Sequence, residues 1–146
     1  MAVDKQAKAV WRGDLTSGEG TIEQVGSGAF GPLPVSWAAR TGDESTRTSP
    51  EELIAAAHAS CFSMALSNGL GKQGTPPDRL SVSATVTFVP GTGITTSALD
   101  VEGVVPGMDE DAFRKAADEA KDGCPVSQAL KGNVELSVSA RLAAGA

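Results

Sequence analysis

Tyrosine is absent from this sequence, and two Trp and four Phe are its only aromatic residues. Surfaces on which bases or sugars stack need more rings than that. Clusters of Lys and Arg are also missing, and the net charge is −6. Binding to nucleic acid or to an anionic membrane rests on clustered cations, so neither partner is expected. No apolar run reads as long enough to span a bilayer, and "MAVDKQAKAVWRGD" lacks the apolar core of a signal peptide. A cytoplasmic and therefore reducing setting is expected. There, Cys61 and Cys124 are free thiols or a redox pair rather than a permanent staple.

Scarcity narrows the chemistry as well. One histidine and two cysteines without C-x-x-C spacing make a poor metal set, so no metal is expected. "GSGAFG" is followed by Pro32 and Pro34 rather than by a helix, so it is no phosphate cradle, and no cofactor is expected. A serine triad cannot be completed with a single histidine in mid-helix.

What is present suits one compact domain, residues 1–146, long enough to build a core without disulfide or metal. "QAKAVWRG" and "GTIEQV" read as a β-hairpin, and "PVSWAAR" as a third strand. The polar stretch Thr41–Thr48 reads as a loop. Ser49, Pro50 and Glu52 then form a helix start: cap, first-turn proline and capping-box acid. The helix is expected to end near Asn68, at Gly69 or Gly71. Leu53, Ile54, Ala57, Cys61, Met64 and Ala65 share one arc of it, and Phe62 and Leu66 widen the apolar surface. A helix apolar nearly all round is buried and central, which hints at oligomerisation.

"LSVSATVTF", "SALDVEGVV" and "VELSVSARL" alternate apolar and polar residues, the signature of half-buried strands in an antiparallel sheet. Between the last two lie a helix from about Asp109 to Gly123 and a short one, Pro125 to Lys131, with Cys124 at its cap. The fold class is therefore α+β, with antiparallel sheets packed around a long buried central helix.

Cys61 has two readings. A buried cysteine among aliphatic residues often only fills space, and burial raises a thiol pKa. To react, Cys61 needs a cation nearby. His58 lies three residues before it, and either pairs with the thiol or hydrogen-bonds within the core. Cys124, capping a helix N-terminus, meets the positive end of the dipole, and local physics nominates it as the nucleophile. Its alternative is a plain cap, though Ser, Thr, Asp and Asn serve better there.

"SPEELIAAAHASCFSMAL", followed some sixty residues on by "GCPVSQAL", resembles the osmotically induced protein C family, OsmC, relative of the organic hydroperoxide resistance proteins. "WRGDLTSGEGTI" resembles the family's opening hairpin, and His58 and "CPVSQAL" favour the OsmC branch. The resemblance implies an intertwined homodimer and a thiol-dependent peroxidase. It would reduce organic hydroperoxides at the expense of an external thiol or dithiol. It maps the attacking cysteine to Cys61 and the resolving one to Cys124. It also places a thiolate-activating arginine, in the strand before the loop, at Arg40, with Arg47 as competitor, and an orienting glutamate at Glu51. Phe62 and Met64, with Phe30, are the candidates for an apolar entrance that would favour alkyl hydroperoxides. The other readings are a non-catalytic dimeric domain for an apolar ligand and a thiol redox sensor.

Overall fold

The computed structural model describes residues 1–42 and 46–143. The element order is β1 (Ala7–Arg12), β2 (Glu19–Val25), β3 (Leu33–Val35), α1 (Trp37–Thr41), α2 (Pro50–Lys72), β4 (Arg79–Val89), β5 (Gly93–Val104), α3 (Glu110–Gly123), α4 (Pro125–Leu130) and β6 (Glu135–Leu142). The chain divides into two compact units, Met1–Leu53 and Ile54–Ala146.

In the first unit, β1, β2 and β3 form an antiparallel sheet in that order. The expected hairpin is there, closed by Asp14, whose carboxylate accepts from the Ser17 amide and hydroxyl at 2.7 and 2.6 Å. Gly20 is required in β2: a Cβ there would meet the Trp11 ring at 2.6 Å and Val35 at 2.8 Å. "PVSWAAR" is not a strand throughout. Only Leu33–Val35 pairs with β2, and Trp37–Thr41 turns into α1. The reason is the Ser36 hydroxyl, which accepts from Ala39 N at 3.0 Å and caps the turn. Gly42, with φ of 105°, ends it in the left-handed region. Residues 43–45 of the expected loop lie outside the described residues. Past them, Thr48 N donates to Pro34 O at 3.0 Å and ties the chain to β3, just before α2.

The start of α2 is as the sequence implies. The Ser49 hydroxyl accepts from Glu52 N at 3.2 Å, and the Glu52 carboxylate accepts from the Thr48 hydroxyl at 3.0 Å. The far end differs. The helix runs through Gly69 and Gly71 to Lys72, because the fully buried Leu70 between those glycines anchors the last turn.

The second unit holds β4, β5 and β6 in one sheet. Their alternation is as expected, with Leu80, Val82, Ala84, Val86 and Phe88 all on the covered face of β4. The sheet is not wholly antiparallel: β4 pairs antiparallel with β5, but β5 and β6 run parallel. The α3–α4 crossover carries the chain back, which is what a parallel pair requires. Asp109 caps α3 by accepting from Ala112 N at 2.8 Å. Phe113, on the inner face of α3, sits where Gly103 of β5 has no Cβ, which would otherwise lie 2.6 Å from the ring.

The core of this unit joins Phe62, Leu66 and Leu70 of α2 with Leu99 and Val101 of β5, Phe113 and Ala117 of α3, and Cys124. Only one stripe of α2, His58–Phe62–Leu66–Leu70, is fully buried. The expected arc through Met64 is not the inward one, since Met64 is 72% exposed and Ala57 is exposed as well. By length and composition α2 would also suit a bilayer, contrary to the expectation that no run is long enough. A core helix satisfies the same pattern, and the buried stripe packs into its own chain's core.

Candidate active site

Two clusters of candidate residues form, one in each unit. In the second unit, Cys61 on α2 and Cys124 at the head of α4 approach each other across 63 residues of sequence and are both free thiols. Cys124 is fully buried and Cys61 half-buried. Local structure accounts for both positions. Cys61 is one residue before Phe62 on the buried side of a regular helix, and Pro125 fixes the first turn of α4 directly after Cys124.

Their settings are opposite. Burial pushes the Cys61 thiol up; the Val126 amide offsets part of this, and the neighbouring Cys124 adds to the rise. Burial also acts to raise Cys124. There it is outweighed by the Ser127 amide, the Cys61 thiol, the Ser127 hydroxyl and the Val126 amide, so its pKa falls below the ordinary thiol value. Cys124 forms no capping bond to the first turn of α4, so these amides act on the sulfur as nearby dipoles rather than as closed hydrogen bonds. The surroundings of the reduced pair thus favour a negative charge on Cys124 over one on Cys61.

Behind the pair stands His58, fully buried. Its Nδ1 lies 2.6 Å from Ser97 Oγ on β5, and its Nε2 lies 2.8 Å from Ser127 Oγ on α4. Burial lowers its pKa, so the imidazole is neutral near pH 7. Of the two readings of His58, hydrogen bonding within the core is the one observed.

In the first unit, Arg40 Nε donates to both carboxylate oxygens of the buried Glu51, at 3.0 and 3.2 Å. Arg40 stands on α1 and not in a strand, as Ser36 starts a helix there. Arg47, the competitor, pairs with the exposed Glu19 at 3.6 Å. Glu51 is in the first turn of α2, so the ion pair joins α1 to the head of that helix. Beside Arg40, the side chains of Trp11, Leu15, Val35, Trp37 and Pro50 line an apolar cavity of about 390 Å³. The Trp11 ring is held in place by its Nε1, which donates to Gly13 O and Asp14 O at 3.0 and 3.2 Å. The three residues expected at an apolar entrance are elsewhere. Phe62 is fully buried in the core, Met64 faces out, and Phe30 borders a separate depression against Asp4–Ala7.

Comparison with known proteins decides the family. The model of the OsmC-like protein family matches residues 42–139, a stretch that holds Glu51, Cys61 and Cys124. The chain belongs to the OsmC-like family. Peroxiredoxin OsmC of Escherichia coli K12 is 42% identical over 139 residues, covering 93% of this chain and 96% of that protein. An organic hydroperoxide resistance protein of Xanthomonas axonopodis pv. citri is 30% identical over 98 residues, covering 63% and 66%. The fold is that of the crystal structure of the organic hydroperoxide resistance protein OhrB of Bacillus subtilis, with a TM-score of 0.70 at 24% identity over 93% of this chain and 98% of that one.

As an OsmC-like chain it thus brings Cys61 and Cys124 together in one unit and Arg40 and Glu51 together in the other. Sequence reasoning missed Ser97 and Ser127. Each is a small polar residue on a covered face, at 0% and 1% exposure, and a polar residue in that place signals a buried partner.

Proposed function

We propose that this protein is a thiol-dependent peroxidase that reduces organic hydroperoxides to alcohols. The observation that carries the reading is the meeting of the only two cysteines at the edge of the core. The names of the relatives, a peroxiredoxin and organic hydroperoxide resistance proteins, support it.

In this reading the Cys61 thiolate attacks the O–O bond, releases the alcohol after protonation, and is left as a sulfenic acid. Cys124 then attacks that sulfur, the S–S bond forms, the S–O bond breaks, and the departing hydroxide is protonated to water. An external thiol or dithiol reduces the disulfide. A thiolate at the raised-pKa Cys61 needs a cation, and Arg40, held by Glu51, is assigned to supply it. The cavity beside Arg40 suits the alkyl or aryl part of a hydroperoxide. The working form is proposed to be a homodimer. The exposed Met64 and small residues Ala56, Ala57 and Ser60 on α2 offer an apolar, closely approachable face for it.

One observation favours a second reading, in which Cys124 attacks first: of the two sulfurs, its surroundings better support a negative charge. Stoichiometric oxidation with cumene hydroperoxide, followed by thiol counting and intact mass, tests both. Loss of two thiols per chain, abolished by Cys61→Ser, supports the first reading. Loss abolished by Cys124→Ser but spared by Cys61→Ser supports the second. Thiols that survive excess hydroperoxide would refute peroxidase function.

A further inference from the structure

The proposed peroxidase cycle leaves His58 unused, although it is a buried titratable side chain placed between two buried hydroxyls. A neutral imidazole has one donor and one acceptor nitrogen, so only two arrangements fit. With the proton on Nδ1, the Ser127 hydroxyl must donate to Nε2. With the proton on Nε2, Ser97 donates to Nδ1, Ser127 Oγ accepts from Nε2, and the Ser127 proton is free for another acceptor. Ser127 is the third residue of α4, at 1% exposure, three residues after Cys124 at the head of the same helix, and its hydroxyl is among the groups that lower the Cys124 pKa.

We propose that His58 is a positioning residue. As the Nε2–H tautomer it orders a one-way chain of donors, from Ser97 through His58 and Ser127 to the sulfur of Cys124. A negative charge at the sulfur end aligns every link toward itself, since polarised hydrogen bonds reinforce one another in a low-dielectric interior. The arrangement prepares Cys124 to attack a sulfenic acid on Cys61; that use rests on the peroxidase reading, while the hydrogen-bond chain itself does not. His58 and Ser127 keep their protons throughout. In the resolving step the S–S bond forms at Cys124, the S–O bond at Cys61 breaks, and the leaving hydroxide takes its proton from water.

Two kinds of measurement test this. Because the chain contains one histidine, ¹⁵N spectra of the reduced protein report a single imidazole. The expected result is a neutral ring protonated on Nε2. A ring protonated on Nδ1, or charged at neutral pH, overturns the proposal whether or not the protein consumes peroxide. In Cys61→Ser, Cys124 is the sole thiol, and Ser127→Ala should move the pH midpoint of its thiolate ultraviolet absorbance up by about one unit, a tenfold change in the ionisation constant and the worth of one hydrogen bond to a charge. Ser127→Thr, which keeps the hydroxyl, should reverse most of that move. An unchanged midpoint in Ser127→Ala overturns the proposal.

In the protein with both cysteines, stopped-flow traces should show the disulfide-forming phase slowed about tenfold in Ser127→Ala, out of proportion to any change in the first phase. His58→Gln places an amide N–H near the position of Nε2 and should recover more of that phase than His58→Leu at matched thermal stability. Equal loss in the two would mean that the ring only fills space, and would overturn the proposal. If the tautomer and absorbance results hold but no hydroperoxide is consumed, the donor chain stands and the peroxidase reading alone fails.

Discussion

Cys61 and Cys124 carry the same thiol on two helices of one core, yet their surroundings act in opposite directions. Cys61 lies along the side of a 23-residue helix, where the amides are already engaged in helical bonds and burial raises its pKa. Cys124 lies at the head of a six-residue helix, where unengaged amides and the Ser127 hydroxyl lower its pKa. The difference shows that burial alone does not make a thiol inert. What counts is whether the burying element presents donors or methyl groups. It also assigns different needs. Cys124 draws its charge stabilisation from its own helix, whereas Cys61 requires a cation, the role proposed for Arg40.

The largest expected effect comes from removing one side of the comparison. Cys61→Ser should reduce hydroperoxide consumption to background and leave Cys124 reduced, as read by stopped flow and intact mass. Cys124→Ser should still consume one equivalent per subunit, then gain the mass of a sulfinic acid under excess peroxide, with dithiol-driven turnover falling steeply. Arg40→Ala should slow the first phase by roughly 10- to 150-fold, since a hydrogen bond to a charged group is worth about 1.5–3 kcal/mol. Arg47→Ala, which removes the surface pair with Glu19, should change it by less than about twofold.

A smaller effect separates substrates. With each buried methylene worth about 0.8 kcal/mol, cumene hydroperoxide should exceed hydrogen peroxide in kcat/KM by at least about tenfold. Trp37→Ala, which opens the cavity beside Arg40, should narrow that ratio. The smallest effect concerns stability. The pKa of His58 is lowered in the fold, so the folded state binds fewer protons than the unfolded chain below the ordinary value of 6.5. Stability should therefore be fully present above that pH and decline as pH falls through the folded-state pKa. In urea titrations, His58→Gln should flatten this decline.

Much of the fold is legible where a local rule acts alone. Ser49–Pro50–Glu52, Asp109, and the Cys124–Pro125 step mark helix starts, and β4 and β6 alternate without interruption. Legibility fails where two rules compete. Val35 to Arg40 has strand-forming residues, yet the Ser36 hydroxyl caps a short helix. Gly69 and Gly71 look like a helix end, yet burial of Leu70 carries the helix through them. Alternation reveals a strand's covered face but not its direction, so the parallel β5–β6 pair is readable only from the two helices between those strands.

The site divides in the same way. Resemblance to a family nominates the cysteines, Arg40 and Glu51 as candidates. The partners of His58 lie 39 and 69 residues away from it, beyond the reach of any local pattern.

The packing of Cys61 into the same cluster as Cys124 has a kinetic consequence. A group tethered nearby behaves as a reagent at about millimolar concentration or above, and orientation raises that figure further. If Cys61 becomes a sulfenic acid, its fate is a race between this resident neighbour and the next hydroperoxide to arrive from solution. Diluting the protein leaves the neighbour's pace untouched, because both runners belong to one chain. On the proposed peroxidase reading only a rising peroxide level changes the odds, and the interior of this small protein then sets the oxidant dose at which repairable oxidation turns into irreversible damage.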